Sequence, residues 1–561
     1  MQKYCWILFV FLFLPNAAIA QTGTCEPGLA QSILNAGNVQ ARITNHGGLF
    51  WPGPRPRYEV PKGSGIEVVS GASIWVAGMI ENDLRVAASR YGPFEFWPGP
   101  LDEAGHPPAS CKPYDKIWEI RTEDLTDFKS TGVISTNLES WPWHLGAPVV
   151  DGDGVPGNYN LASGDLPELF GDQRLWWIMN DRGNAHEATD SDPIGLEVHA
   201  SAHAFDHPGF VANSTFYNYK LINKNTAPLE HAFFGVYSDT DVGNFDDDYL
   251  GSDSLLHLTY VYNEDNDDEG LRGYGTAPPA VGFTIIESVP SAHDAIDNDR
   301  DGTIDEPGEK MGAYGAMHYT GAGGSRIDGD AGIGPDYYAY LQTYWLDKSP
   351  LYRGLKGLDW SNFPEYAHLA KTRTRFVFSG DPVTRSFWSM MNVDDRGGTF
   401  SAGDINTLIS LGPLTLAPQD TVEIRFAIVW ARGNDHLDSV TELKKDVREI
   451  QRMNEAFYSP GRIVSEPQPP LRENFVLGFD QNFPNPFIQS TTLRYSLPQK
   501  MRVRLAVYDM LGREVALLVD GQKETGIHTA EFDGSNLPAG IYLARLEVDF
   551  LQFTKQMVLI R

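Results

Sequence analysis

Residues 502–510 read RVRLAVYDM, and the alternation in that run decides the class of the fold. Val503, Leu505 and Val507 share one side of an extended chain, with Arg502, Arg504 and Tyr508 on the other. The same habit recurs in LGREVALLVD (511–520), GIHTAEFDG (526–534), AGIYLARLEVD (539–549) and FTKQMVLIR (553–561). Asp-Gly, Gly-Gln and Leu-Pro-Ala-Gly pieces punctuate these runs as turns do. Upstream lies the turn-rich stretch FDQNFPNPFIQSTTLRYSLP (479–498). Short alternating strands packed this densely between residues 475 and 561 predict a small antiparallel, immunoglobulin-like sandwich.

Four ordered motifs in this region carry a resemblance. They are Pro484-Asn485-Pro486-Phe487, Leu511-Gly512-Arg513, the Ala-Gly540-Ile-Tyr542 tetrapeptide, and the closing run from Lys555 to Leu559. Together they resemble the type A C-terminal sorting domain of the type IX secretion system. The resemblance implies recognition by the type IX machinery at the outer membrane, delivery to the cell surface or medium, and removal of the domain near the preceding linker. The rest of the chain is then cargo. It resembles the large exported proteins that carry this domain, which brings no activity with it.

The cargo also reads as strand and turn. STFYNYKLIN (214–223) places Thr215, Tyr217, Tyr219 and Leu221 on one face. IGLEVHASAHAF, AFFGVYSDTD, LLHLTYVYN, AVGFTIIESV, RTRFVFSGD and DTVEIRFAIVWARG follow as further strands, and SIWVAGMI with LRVAASRY forms a hairpin about Glu81-Asn82-Asp83. One segment differs. Val440, Leu443, Val447, Ile450 and Phe457 keep helical spacing, and Ser439 with Glu442 makes a capping box. The expected organisation is a signal peptide (1–20), a β-rich region (21–150), an acidic sandwich-like region (151–437), a helix (438–458), a Pro-rich linker (459–474) and the sorting domain (475–561). The fold class is mostly β, a sandwich-like body with one amphipathic helix.

The signal peptide rests on MQKYCWILFVFLFLPNAAIAQ, whose apolar run from Cys5 to Leu14 is too short to span a bilayer and precedes a small-residue cleavage site. In an exported protein the two remaining cysteines, Cys25 and Cys111, are expected to form a disulfide. The net charge of −30 lies wholly upstream of residue 471, since the last 91 residues balance 10 Lys+Arg with 10 Asp+Glu. Such a body repels nucleic acid and favours cations as small partners.

Residues 237–309 concentrate that charge, with 19 Asp+Glu against 2 Lys+Arg. Asp297, Asp299, Asp301, Thr303 and Asp305 stand at the odd positions of a DxDxDG loop, the spacing of extracellular calcium sites. Position 12 is Gly308, so Glu306 or Glu309 has to close the shell. A second candidate joins Asp239 and Asp241 with Asp246 or Asp248. Val150-Asp-Gly-Asp-Gly154 reads as a plain turn. His199, His203 and His207 do not suit zinc, because residues four apart on a strand are separated by roughly 13 Å.

No metalloprotease, serine-hydrolase or phosphate-loop motif occurs. The reading is therefore a calcium-stabilised exported protein with a structural or adhesin-like role, surface polysaccharide being its candidate ligand. The rival is a polysaccharide hydrolase using a carboxylate pair, with Trp51, Trp97, Trp141, Trp143, Trp176 and Trp177 as a sugar platform.

Overall fold

The computed structural model describes residues 25–55, 57–287, 312–321, 324–458, 478–479, 482, 485–497, 500–510, 513–524, 526–535, 537–548 and 551–560. The expected signal peptide, the linker, and the calcium loop from Asp297 to Glu309 with Asp299, Asp301, Thr303, Asp305 and Glu306 lie outside the described residues. So do Pro484, Leu511 and Gly512.

The protein is mostly β and divides into two compact units. The first comprises residues 1–150, 157–159 and 166–446, and holds two large antiparallel sheets. The nine-stranded sheet runs Asp248–Asp253, Leu258–Asn263, Ala280–Glu287, Thr421–Ala431, Ser214–Asn223, Leu196–Ala204, Gln173–Asn180 and Trp97–Pro98, with Trp118–Arg121 pairing beside the last. The six-stranded sheet runs Gly315–Tyr319, Ile405–Leu416, Leu229–Thr240, Gly71–Ile80 and Gly48–Leu49, with Asp83–Ala87 closing a hairpin on Gly71–Ile80. That hairpin turns at Glu81 and Asn82, both at positive φ (50° and 72°), the geometry that matches strand twist in a two-residue loop.

Thr215, Tyr217, Tyr219 and Leu221 are all buried, as their alternation predicts, and Tyr219 reaches Phe234 of the other sheet with ring centroids 6.0 Å apart. Val76, Leu196, Leu221 and Phe234 meet in the same seam, so the two sheets form a sandwich. Residues 21–150 supply strands to both sheets, Gly71–Ile80 pairing directly with Leu229–Thr240, so no sheet boundary falls at residue 150. The free face of the six-stranded sheet carries a row of stacked rings, Trp75, Tyr237 and Tyr319. The helix Gly334–Leu341 covers it through Tyr337, 4.7 Å from Trp75, and Tyr340, 4.9 Å from Tyr319.

Three local expectations need correction. RTRFVFSGD makes only isolated bridges, at Arg373 and Phe376, the latter to Ala316 on the edge of Gly315–Tyr319 that Ile405–Leu416 leaves open. The helix His436–Tyr458 begins before Ser439, and Asp435 Oδ1 accepts the Leu437 and Asp438 amides at 3.0 and 2.8 Å, so Asp435 is the cap. Ser439 is fully buried and donates to the Pro278 carbonyl instead. The amphipathic helix is also not alone: Thr122–Thr131 and Gly334–Leu341 are helical.

Cys25 and Cys111 form a disulfide beside Trp97, with Cα atoms 5.5 Å apart.

The second unit comprises residues 151–156, 160–165 and 447–561. Its C-terminal part pairs a three-stranded sheet (Gly478–Phe479, Ser490–Leu497, Gly526–Asp533) with a four-stranded one (Glu514–Lys523, Met501–Asp509, Gly540–Val548, Leu551–Leu559). Val503, Leu505 and Val507 are fully buried in their common core while Arg502 faces solvent.

Candidate metal centre

Asp239 and Asp241 extend the face of the six-stranded sheet that carries Tyr237, since residues two apart on a strand point the same way. The register pairs Asp239 with Asn406 and Thr240 with Ile405, which sets Asp404 opposite Asp241 just before the neighbouring strand begins. One carboxylate oxygen from each of Asp239, Asp241 and Asp404 lies within 4.8 Å of the other two. On the other flank Asp239 pairs with Gly71, where a Cβ would stand 2.8 Å from the Tyr91 ring. The missing side chain admits Tyr91, whose hydroxyl donates to Asp239 Oδ2.

Around this group the charges are unevenly matched. Arg55 lies 3.2 Å from Glu67 Oε1 and 3.8 Å from Asp241 Oδ2, and Ser70 Oγ bridges the same two carboxylates. Asp239 Oδ1 is enclosed and has no hydrogen-bond donor. Burial raises the Asp239 carboxyl far above its usual range, and Asp241 and Asp404 add to the shift. Asp241 is raised by burial and by Asp404, against which the Ser70 hydroxyl and Arg55 pull down. Asp404 is exposed and opens the group to solvent. Three hard oxygen donors, one exposed and two largely buried, suit a hard metal cation and offer nitrogen- or sulfur-seeking metals nothing.

Of the four residues grouped by sequence, Asp239 and Asp241 converge, whereas Asp246 is exposed and Asp248 does not join them. Asp248 supports the centre instead: its Oδ2 accepts the Val242 amide at 2.9 Å and its carbonyl accepts the Gly403 amide at 3.2 Å. Those contacts tie down the residues next to Asp241 and Asp404. Sequence reading had no signal for Asp404, a single acidic residue in a Gly-Asp step far along the chain.

A second acidic group joins Asp151, Asp153 and Asp165. Asp151 Oδ1 accepts the Asp153 and Gly154 amides at 3.1 and 2.6 Å, and Asp165 accepts those of Gly152 and Asn160 at 2.9 and 2.7 Å. The turn is real, and Asp165 makes it a three-carboxylate loop.

The histidines sit on the strand Leu196–Ala204 and just beyond it, in separate surroundings. His199 contacts Glu197 at 2.8 Å, His203 the Phe170 carbonyl at 3.1 Å, and His207 Asp172 at 3.2 Å. Among the tryptophans, Trp97, Trp141, Trp176 and Trp177 are at most 3% exposed, so they form no platform.

Residues 481–560 match the family described as the secretion system C-terminal sorting domain. The chain is thus a type IX exported protein, sorted to the cell surface or the extracellular space. Among the described residues no helix is long and apolar enough to cross a membrane. No curated protein matches the chain. Solved structures similar to it include a polysaccharide lyase (9% identity, TM-score 0.19, 73% of this chain and 38% of that one). Another is dimeric latent PorU from Porphyromonas gingivalis (8% identity, TM-score 0.13, 69% and 31%). The chain spans well under half the length of either, and likenesses this weak carry no argument about the body.

Proposed function

We propose that this exported protein serves at the cell surface as a calcium-stabilised structural or binding scaffold rather than an enzyme. One observation carries the reading: Asp239, Asp241 and Asp404 converge on the end of a rigid sheet, with Asp239 Oδ1 enclosed and unmatched. A calcium ion there joins the end of Leu229–Thr240 to the start of Ile405–Leu416 and offsets the mutual repulsion of the carboxylates. The Asp297–Glu309 loop belongs to the same proposal as a separate calcium site, on its ligand spacing alone.

The hydrolase reading is weaker. Retaining and inverting glycosidases hold their carboxyls about 5–5.5 Å and 6.5–9.5 Å apart, leaving room for a sugar or a water. Oxygens within 4.8 Å of one another, in a group of three, leave less.

The test is calcium titration of the purified chain, followed by calorimetry and thermal melting, with Asp404→Asn beside the parent. The parent should bind calcium and melt higher in its presence, and Asp404→Asn should lose one binding event. A parent indifferent to calcium overturns the cation, and turnover of a polysaccharide overturns the non-catalytic role.

A further inference from the structure

Residues 348–375 hold six Lys+Arg against two Asp+Glu, in a chain whose net charge is −30. Three of those cations, at alternate positions, each cap a tyrosine ring. Lys371 Nζ lies 4.7 Å from the centroid of Tyr352, Arg373 Cζ 4.8 Å from that of Tyr344, and Arg375 Cζ 4.1 Å from that of Tyr314. All three cations are exposed, and the rings beneath them are half-buried. Lys371 also meets Asp359 at 2.6 Å. Arg373 donates to the Tyr344 hydroxyl, yet among the described residues neither it nor Arg375 has a carboxylate within ion-pair distance. In so acidic a chain, two neighbouring arginines without an acid point to a partner that brings one.

The row is mounted on a firm support. The Thr374 amide donates to the Leu351 carbonyl at 3.0 Å, the Arg353 amide to Thr372 at 2.8 Å, and the Ala316 amide to Arg375 at 2.8 Å. Beneath it Leu351, Phe376 and Val377 are at most 5% exposed. A guanidinium stacked on a ring gives up rotamer freedom but keeps its N–H edge open. A bidentate acceptor therefore meets a fork that is already set.

We propose that this row is a binding surface for an acidic polysaccharide, a chain whose repeat units carry carboxylates and hydroxyls together. It gives a ligand to the binding role above, resting on that reading but not on the cation at Asp239, Asp241 and Asp404. Arg373 and Arg375 take carboxylates as bidentate pairs, and Lys371 adds charge to the row. The phenol beside each cation exchanges hydrogen bonds with sugar hydroxyls, and its ring edge packs on sugar C–H groups. An acidic protein segment brings carboxylates without hydroxyls and uses only half of this surface. Duplex nucleic acid carries a charge about every 1.7 Å, which a chain of net charge −30 repels. A polyuronate, with one charge per sugar, is repelled far less.

The test is calorimetric titration of the full chain with polygalacturonate in chelator, with neutral dextran and polyglutamate beside it. The parent should bind polygalacturonate, more weakly as salt is raised, and bind the other two far less. Arg373→Gln with Arg375→Gln should weaken that binding about tenfold or more through two lost charge-assisted pairs, at an unchanged melting temperature. Arg375→Lys keeps the charge but not the fork and should fall between the two. Asp404→Asn should bind the polysaccharide as the parent does, which separates failure here from failure of the metal centre. A parent indifferent to polygalacturonate, or a double variant with the parent's affinity, overturns the proposal. Equal binding of polyglutamate overturns the sugar as ligand. Should the double variant fail to fold, Arg373→Gln alone decides by the same comparison.

Discussion

Asn485 Oδ1 accepts the backbone amide of Val558 at 2.8 Å, and its Nδ2 donates to the Gln556 carbonyl at 3.2 Å. The side chain thereby takes the place of a strand along the edge of Leu551–Leu559. The main chain continues the pairing: the Phe487 amide donates to Val558 and the Ile560 amide to Phe487, at 2.9 and 2.8 Å. Phe487 and Leu559 are 1% and 2% exposed and pack on Gly534, where a Cβ would lie 3.1 Å from either side chain. Sorting motifs far apart in sequence are therefore one folded feature.

Asn485→Ala should cost about 1–2 kcal/mol through two lost hydrogen bonds. Phe487→Ala should cost about 3–5 kcal/mol through the cavity it leaves. Both should lower surface delivery in that order, measured by protease accessibility on intact cells, and deleting residues 559–561 should abolish it. Normal delivery of the Phe487→Ala protein would mean that recognition does not depend on the folded domain.

The disulfide closes a loop with a sequence separation of 86. Replacing Cys25 and Cys111 by serine should cost about 4 kcal/mol in the chain-entropy account. The Cys25 amide donates to Gly183 at 2.9 Å, so the segment it anchors should also become more protease-sensitive. Equal melting temperatures with and without reductant would contradict this.

Strands with one polar face were legible from sequence. Residues 214–223 and 502–510 show their buried side in plain alternation, and both are strands. Ile405–Leu416 was not, because its first eight residues are all buried and Gly412-Pro413 interrupts it, which erases the period. The metal candidates divide in the same way. Asp239 and Asp241 are local and were found, while Asp404 becomes their neighbour only through the register of two paired strands. In the run Asp246–Asp248, spacing favoured the outer two, yet Asp246 is exposed while Asp247 and Asp248 are both buried.

His46 and His318 set an acid limit. They are 3% and 8% exposed, and burial lowers each to about 4. Their unfolded value is about 6.5, so between pH 6.5 and 4 the unfolded chain binds more protons. Stability is fully present above about 6.5 and falls as pH drops, by about 2.5 kcal/mol per histidine at pH 4.5. Carboxyls with raised values slope the other way, so the test is a difference: His46→Gln with His318→Gln should melt with a shallower loss from pH 7 to 4.5 than the parent. An unchanged slope would refute it.

Tyr91 gives the sharpest handle on the Asp239 centre, because its hydroxyl is the donor to Asp239 Oδ2 while Oδ1 has none. Tyr91→Phe leaves the ring against Gly71 and Trp51 but strips Asp239 of that bond. In chelator the variant should lose about 1–3 kcal/mol, the cost of a buried acceptor left unmatched. Calcium should restore most of it, since a cation serves the freed oxygen as well as a hydroxyl does. For the parent, calcium at about tenfold its Kd adds about 1.4 kcal/mol. The calcium-induced rise in melting temperature should therefore be larger for Tyr91→Phe than for the parent, and absent at this site for Asp404→Asn. Opposite signs from two variants that both remove a polar contact cannot come from general loosening of the sheet. If Tyr91→Phe instead responds to calcium no more than the parent does, Asp239 is not a ligand.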